Sequence, residues 1–263
     1  MPILHAIVLG IVQGLSEFLP ISSSGHLLLV PWLFGWDDFA GDVSLERTFD
    51  VALHLGTFIG AVAYFRHDLL RIVRDDRRLG WLLLVASIPG GAIGALFESP
   101  IDEHLSAFWL IGLMLIMFGV VLLWADRLVG TREVGEFGVR DAVLMGTGQA
   151  LALSPGVSRS GITITVARKL GFDRDAAARL SFLMSLPIIG GAMAYKGLKL
   201  FRDGFPDGFA APFAWGIVVS GITGYVAVWG TLRLIRTRSF TPFVIYRVLL
   251  GAAVIVIAVT GLR

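Results

Sequence analysis

GIVQGLSEFLPISSSG, residues 10–25, lies inside an apolar segment that runs from about Pro2 to Phe34. Pro20 and the serines and glycine after it break any helix built on that segment. Broken backbone at membrane depth is tolerated only where protein or a water-filled cavity satisfies its polar groups. The segment therefore reads as a re-entrant helix–turn–helix pair. A second such segment runs from about Asp141 to Val166 and contains GTGQALALSPGVSRSG, residues 146–161. The two stretches align without a gap, with six identities in sixteen positions: Gly10/Gly146, Gln13/Gln149, Leu15/Leu151, Ser22/Ser158, Ser24/Ser160 and Gly25/Gly161. In that alignment Ser23 stands opposite Arg159.

The rest of the chain supports a membrane protein. Of 263 residues, 56% are hydrophobic and only 16% charged, and mean hydropathy is +0.78. A soluble domain cannot bury that much apolar surface. Six segments read as spans: Phe49–Phe65, Leu79–Phe97, Leu105–Ala125, Leu180–Tyr195, Phe209–Leu232 and Ser239–Leu262. The fold expected is an all-α polytopic membrane protein, six transmembrane helices plus two re-entrant pairs, in one membrane domain. Repeat one covers about 1–130 and repeat two about 131–263. Each repeat has three spans, an odd number, so the second enters from the opposite side. The result is an inverted-topology repeat with its polar site near the midplane.

Loop charge sets the expected orientation. One side collects fifteen basic residues, among them Arg66, Arg127, Arg140, Arg168, Arg174 and Arg236; the other collects Arg47, Lys196, Lys199, Arg202 and Arg263. The first side should be cytoplasmic, which puts both termini and the mouth of the first pair outside. Because these charges fall in short loops, the isoelectric point near 9.2 does not point to a nucleic-acid partner. The absence of cysteine excludes disulfides and thiolate chemistry. No cleavable signal is expected, since the N-terminus lacks a basic region and its apolar run carries Gln13 and Glu17. Small residues in SIPGGAIGALF (87–97) and GIVVSGITGYVAVWG (216–230) allow close helix packing, within one chain or in a homodimer.

The polar residues concentrate at the two breaks. Gln13 and Glu17, four apart, share one helix face. Ser22, Ser23, Ser24 and Gly25 then open a second helix, whose unpaired N–H groups and dipole favour an anion. SPGVSRSGIT repeats the arrangement and adds Arg159, whose planar fork of donors suits phosphate. With a carboxylate able to hold a hard divalent cation, the set suggests a phosphate or diphosphate site. Plainer roles compete: serines as caps, His26 as a packed imidazole, Arg159 and Arg247 snorkelling to the headgroups. Asp50, His54 and His67 show no constellation and read as structural or interfacial.

QGLSEFLPISSSGH (13–26) and PGVSRSGIT (155–163), with FTPFVIYR (240–247), resemble the signature motifs of the undecaprenyl-diphosphate phosphatase (bacitracin-resistance) family. The resemblance covers essentially the whole chain. It implies an integral phosphatase of the bacterial inner membrane. Such an enzyme converts undecaprenyl diphosphate to the monophosphate that carries peptidoglycan and other cell-wall precursors. It also implies bacitracin resistance and a divalent cation, magnesium or calcium. Glu17, Ser23, His26 and Arg159 then become the catalytic candidates, with Glu17 also the metal ligand. Gln13, Ser22, Ser24, Gly156, Ser158, Ser160, Thr163 and Arg247 become substrate-binding candidates. Gln13 departs from the double-glutamate form of the motif, and a neutral amide is the weaker ligand. The nucleophile is read as Ser23, with a water positioned by Glu17 and His26 as the alternative. A lipid-phosphate or small-anion carrier is the competing function, because broken helices in inverted repeats also build transporters.

Overall fold

The structure, a computed structural model, describes residues 1–203 and 208–262, and for residues 95, 97–104 and 195–203 the backbone alone. Parts of the sequence reading therefore lie outside the described residues: the Phe97 and Tyr195 ends of two spans, and the side chains of Lys196, Lys199, Arg202 and Arg263.

The described chain is helical, with one isolated bridge between Arg132 and Phe172. The helices are α1 (Ile3–Phe18), α2 (Ser23–Phe34), α3 (Val43–Tyr64), α4 (Arg66–Arg74), α5 (Arg77–Leu105), α6 (Phe108–Asp126), α7 (Val139–Ala150), α8 (Arg159–Lys169), α9 (Arg174–Asp203), α10 (Ala210–Ile235) and α11 (Thr241–Thr260). Five stretches are long and apolar enough to cross a bilayer: Val43–Arg74, Phe108–Asp126, Arg174–Ala194, Ala210–Ile235 and Thr241–Thr260. The segment read as a span at Leu79–Phe97 lies within α5. Helix α3 starts six residues before the expected Phe49, because Asp42 caps it: its Oδ1 accepts the Leu45 N–H at 3.0 Å.

Both breaks are built the same way. α1 stops at Phe18, two residues before Pro20, and α7 stops at Ala150, after which a 3-10 turn (Leu151–Leu153) leads to Pro155. The next helix in each case is capped by a serine in an unusual backbone state. Ser22 has φ 78°, ψ 94°, and Ser158 has φ 74°, ψ 113°. A non-glycine residue there costs of order 1–3 kcal/mol and persists only where surroundings over-determine it. Here the hydroxyls compensate: Ser22 Oγ accepts from Gly25 N–H at 3.4 Å and Ser158 Oγ from Gly161 N–H at 3.1 Å.

Packing crosses between the two halves of the chain. α1 lies against α10, and α7 lies against α5. The aligned glycines make both approaches: a Cβ on Gly10 would stand 3.1 Å from the Gly216 carbonyl oxygen, and one on Gly146 would strike that of Ala86. Within 216–230, Gly216 faces Leu53 and Phe49, and Gly224 faces Thr57. That small-residue stretch therefore packs inside the chain, against α1 and α3.

Candidate active site

The two broken pairs meet at their tips. Gly156 N–H donates to Ser22 Oγ at 3.0 Å, and Ser160 Oγ donates to the Leu19 carbonyl at 3.0 Å. Arg247, from α11, is fully buried behind them. Its Nη1 donates to the Pro20 carbonyl (3.0 Å), and its Nη2 to the carbonyls of Gly156 (2.8 Å), Val157 (3.0 Å) and Met114 (3.4 Å). Its Nε donates to the Leu115 carbonyl at 3.1 Å. All three nitrogens are spent on main-chain oxygens of both tips and α6. Arg247 thus does not snorkel; it clamps the tips together.

Several other sequence-read contacts also turn out to hold the scaffold. Ser22 and Ser158 cap α2 and α8, Ser158 Oγ lies 3.3 Å from Ser160 Oγ, and the Gly156 N–H is taken by Ser22. Thr163 Oγ1 is buried against the Arg159 carbonyl (2.8 Å) and Ser181 Oγ (2.6 Å). Ser24 is exposed, outside the cluster. Gly and Ser at a helix start suit an anion site and a tight junction equally well, so spacing alone could not separate the two roles.

What remains is a small cluster around Glu17. Arg159 Nη2 bonds Glu17 Oε1 at 2.6 Å. The Ser23 hydroxyl donates to Glu17 Oε2 at 2.6 Å, and Gln13 Nε2 donates to the same oxygen at 2.9 Å. Two atoms are left over: Arg159 Nη1 and Gln13 Oε1 are buried and have no hydrogen-bond partner among the described residues. Buried polar atoms without partners are uncommon in folded proteins and mark ligand positions when they adjoin a cleft. Such a cleft exists, a cavity of about 360 Å³ walled by Glu17 and Arg159, by Arg47, Asp50 and His54 of α3, and by apolar residues of α9 such as Ile188 and Met193.

Two histidines differ from their sequence reading. His26 Nδ1 lies 2.7 Å from the Ser22 carbonyl oxygen, which can only accept, so Nδ1 carries the proton. Its Nε2 then presents a lone pair, and the Tyr246 hydroxyl donates to it at 2.7 Å with the rings stacked. His26 is therefore committed to Tyr246 and not to Ser23. His54, read as lacking a constellation, belongs to the cleft: its Nε2 is 3.6 Å from Glu17 Oε2, while Nδ1 is held by the Asp50 carbonyl at 2.8 Å. Arg47, Asp50 and His54 recur at one-turn intervals on one face of an apolar helix, and that spacing was the signal available in the sequence.

One prediction follows directly. Tyr246→Phe removes a single hydroxyl and should lower stability by about 0.5–1.5 kcal/mol, read as a lower thermal midpoint in detergent. An unchanged midpoint would mean that His26 does not depend on this bond.

Apolar spans around a buried carboxylate, guanidinium and serine, opening on a cleft, define an integral membrane protein with a site for anionic phosphate chemistry. The family model described as bacitracin resistance protein BacA matches residues 6–253. The chain belongs to that family. It is 47% identical over 277 positions to the undecaprenyl-diphosphatase of Pelobacter propionicus, covering 100% of this chain and 99% of that protein. The undecaprenyl-diphosphatase of Geobacter sulfurreducens is 46% identical over 269 positions (97% and 98% covered), and that of Moorella thermoacetica 45% over 273 (100% of both).

Proposed function

We propose that this chain is a multi-pass membrane phosphatase that hydrolyses undecaprenyl diphosphate to undecaprenyl phosphate and phosphate, recycling the lipid carrier for cell-wall polymers and conferring bacitracin resistance. The family and the relatives' names support the reaction. The observation that carries the site assignment is the Ser23–Glu17 hydrogen bond beside the unpartnered Arg159 Nη1. A carrier of lipid phosphates needs the arginine but has no use for a serine hydroxyl held against a buried carboxylate.

In the mechanism that this geometry supports, Glu17 Oε2 takes the Ser23 proton along the existing 2.6 Å bond. Ser23 Oγ attacks the terminal phosphorus, the bond from that phosphorus to the bridging oxygen breaks, and undecaprenyl phosphate leaves. The free N–H donors of Arg159 Nη1 stabilise the charge that develops on the phosphoryl oxygens. Water then cleaves the phosphoserine, releasing phosphate and restoring the hydroxyl. His26 serves here as a Tyr246-braced support of the α2 start.

The donor set fits a hard divalent cation. The Glu17 carboxylate and the orphan Gln13 amide oxygen are oxygen ligands of the type magnesium and calcium take. Among the described residues no cluster of three or more His, Cys, Asp or Glu could form a closed cage, so substrate phosphate oxygens would complete the shell. A bound cation would supply charge neutralisation at the phosphates.

The deciding experiment is phosphate release from a long-chain prenyl diphosphate by purified protein in detergent, where no vectorial movement is possible, with and without chelator. Release that the chelator suppresses is expected. Ser23→Ala should remove turnover and the acid-stable phosphoserine; if Ser23→Ala retains activity, the attacking oxygen is that of water.

The finer topology is part of the same proposal. The matched serine caps and the reciprocal packing of α1 on α10 and α7 on α5 support an inverted repeat of two re-entrant pairs and six spans, with α5 as the sixth. The arginine-rich loops would face the cytoplasm of the bacterial inner membrane, leaving the termini outside. Because the chain has no cysteine, a single cysteine at Arg140 should resist an impermeant thiol reagent in intact spheroplasts and react in inverted vesicles. The reverse pattern would turn the orientation over.

A further inference from the structure

A second polar cavity, of about 530 Å³, lies at the other end of α8 from Arg159. Arg168, near the C-terminus of that helix, is about 13 Å along the axis from Arg159 at 1.5 Å per residue. Four arginines line this cavity: Arg127 at the end of α6, Arg168, Arg174 at the start of α9, and Arg236 after α10.

The three aspartates beside them do not balance that charge. Asp126 is bound by Arg174 Nε at 2.6 Å and also accepts the Phe240 N–H at 3.0 Å. Asp175 serves Arg236 Nε at 3.1 Å and Arg179 Nε at 2.8 Å. Asp173 caps α9, accepting the Ala176 N–H at 2.7 Å. Arg127 is exposed and has no carboxylate within salt-bridge distance among the described residues. Arg168 is only 4% exposed and donates only to main-chain oxygens, those of Phe172, Asp126 and Leu128. Its Nε has no hydrogen-bond partner among the described residues.

Two guanidinium groups, one of them buried, therefore stand at one cavity with no salt-bridge partner among the described residues, and the four arginines of the cavity outnumber its three aspartates by one. A buried charge is costly unless paired. We infer that this cavity binds a phosphate dianion, either inorganic phosphate or the phosphomonoester headgroup of a lipid. A phosphate monoester carries about −1.5 to −2 charges near neutral pH, opposite in sign to the net positive charge of the cavity, and guanidinium forks hold phosphate oxygens bidentately. The volume exceeds one phosphate, and the exposed Val129 at the rim offers an apolar edge to a glycerol backbone or acyl chain. None of these residues takes part in the cleft at the other end of α8.

Arg127 is the place to test it, because it is exposed and its substitution leaves the ion pairs of the cavity intact. Detergent-purified protein is dialysed to equilibrium against labelled inorganic phosphate. In parallel it is analysed by native mass spectrometry with dioctanoyl phosphatidate and, as control, dioctanoyl phosphatidylcholine. Wild type should bind one of the two phosphate probes at a site that Arg127→Gln weakens about tenfold and Arg127→Glu removes. If the loss appears only with inorganic phosphate, the ligand is the free ion; if only with phosphatidate, it is a lipid headgroup. Prenyl-diphosphate hydrolysis by both variants should stay within about twofold of wild type, as for most surface substitutions, so failure of the phosphatase reading is seen separately. Equal binding of both probes by wild type and both variants, or binding of neither by wild type, overturns the proposal.

Discussion

Arg159→Ala is expected to cut phosphate release by roughly 100- to 1000-fold, the usual cost of removing one preorganised electrostatic donor. Arg159 does two jobs in the structure. Nη2 pairs with Glu17 Oε1 at 2.6 Å, and Nη1 is buried beside the cleft with no partner among the described residues. In the proposed mechanism the first holds the carboxylate that takes the Ser23 proton, and the second donates to a phosphoryl oxygen. Arg159→Lys separates the two. A lysine keeps the positive charge for Glu17 but is a single point donor that cannot bond the carboxylate and a phosphate with one planar fork. The lysine variant should therefore fold as well as wild type and still lose most of kcat. Near-normal hydrolysis by folded Arg159→Ala would remove Arg159 from the reaction. Removing the arginine also leaves Glu17 buried and unpaired, which is strongly destabilising. Folded protein must accordingly be verified before rates are compared.

Arg247→Met should show its effect in stability and not in substrate affinity. Methionine matches the length of the arginine stem but donates no hydrogen bonds. Five main-chain oxygens, from residues 20, 114, 115, 156 and 157, would lose their common donor. A buried polar group left unsatisfied costs about 1–3 kcal/mol, so a loss of roughly 3 kcal/mol or more is expected against the small net stability of a folded chain. Arg247→Lys should rescue little, because one ammonium cannot reach carbonyls on three separate elements. The measurement is the thermal midpoint in detergent together with KM. A midpoint unchanged from wild type with a raised KM would return Arg247 to substrate binding.

These two arginines illustrate what could be read from local sequence. Both sit in apolar surroundings, both belong to recognisable motifs, and both looked like phosphate ligands. Only their neighbours differ. Arg159 meets a carboxylate 142 residues away, while Arg247 meets carbonyls 90 to 227 residues away. The same holds for the histidines. His26 stands in the motif, yet its free nitrogen is taken by Tyr246, 220 residues on. His54 stood outside every motif and is 3.6 Å from Glu17.

The amino-acid sequence by itself determined the membrane class, the two breaks and their serine-capped helix starts, most of the span positions, and the polar motifs around which the candidate site is built. Each of these is written in local chemistry: apolar runs of bilayer length, a proline or glycine where a helix must stop, a hydroxyl where orphan N–H groups need an acceptor. Tertiary structure alone decided which motif residues face the cleft. Glu17 and Arg159 line it, with Ser23 hydrogen-bonded to Glu17, whereas Ser22, Ser160 and Arg247 join the tips, Ser158 caps α8 and Thr163 bonds Ser181 of α9. It also brought α3 into the site. The reason is that a donor's partner is set by how distant helices pack, and close packing through Gly10, Gly146 and Gly216 is what carries these side chains within bonding distance.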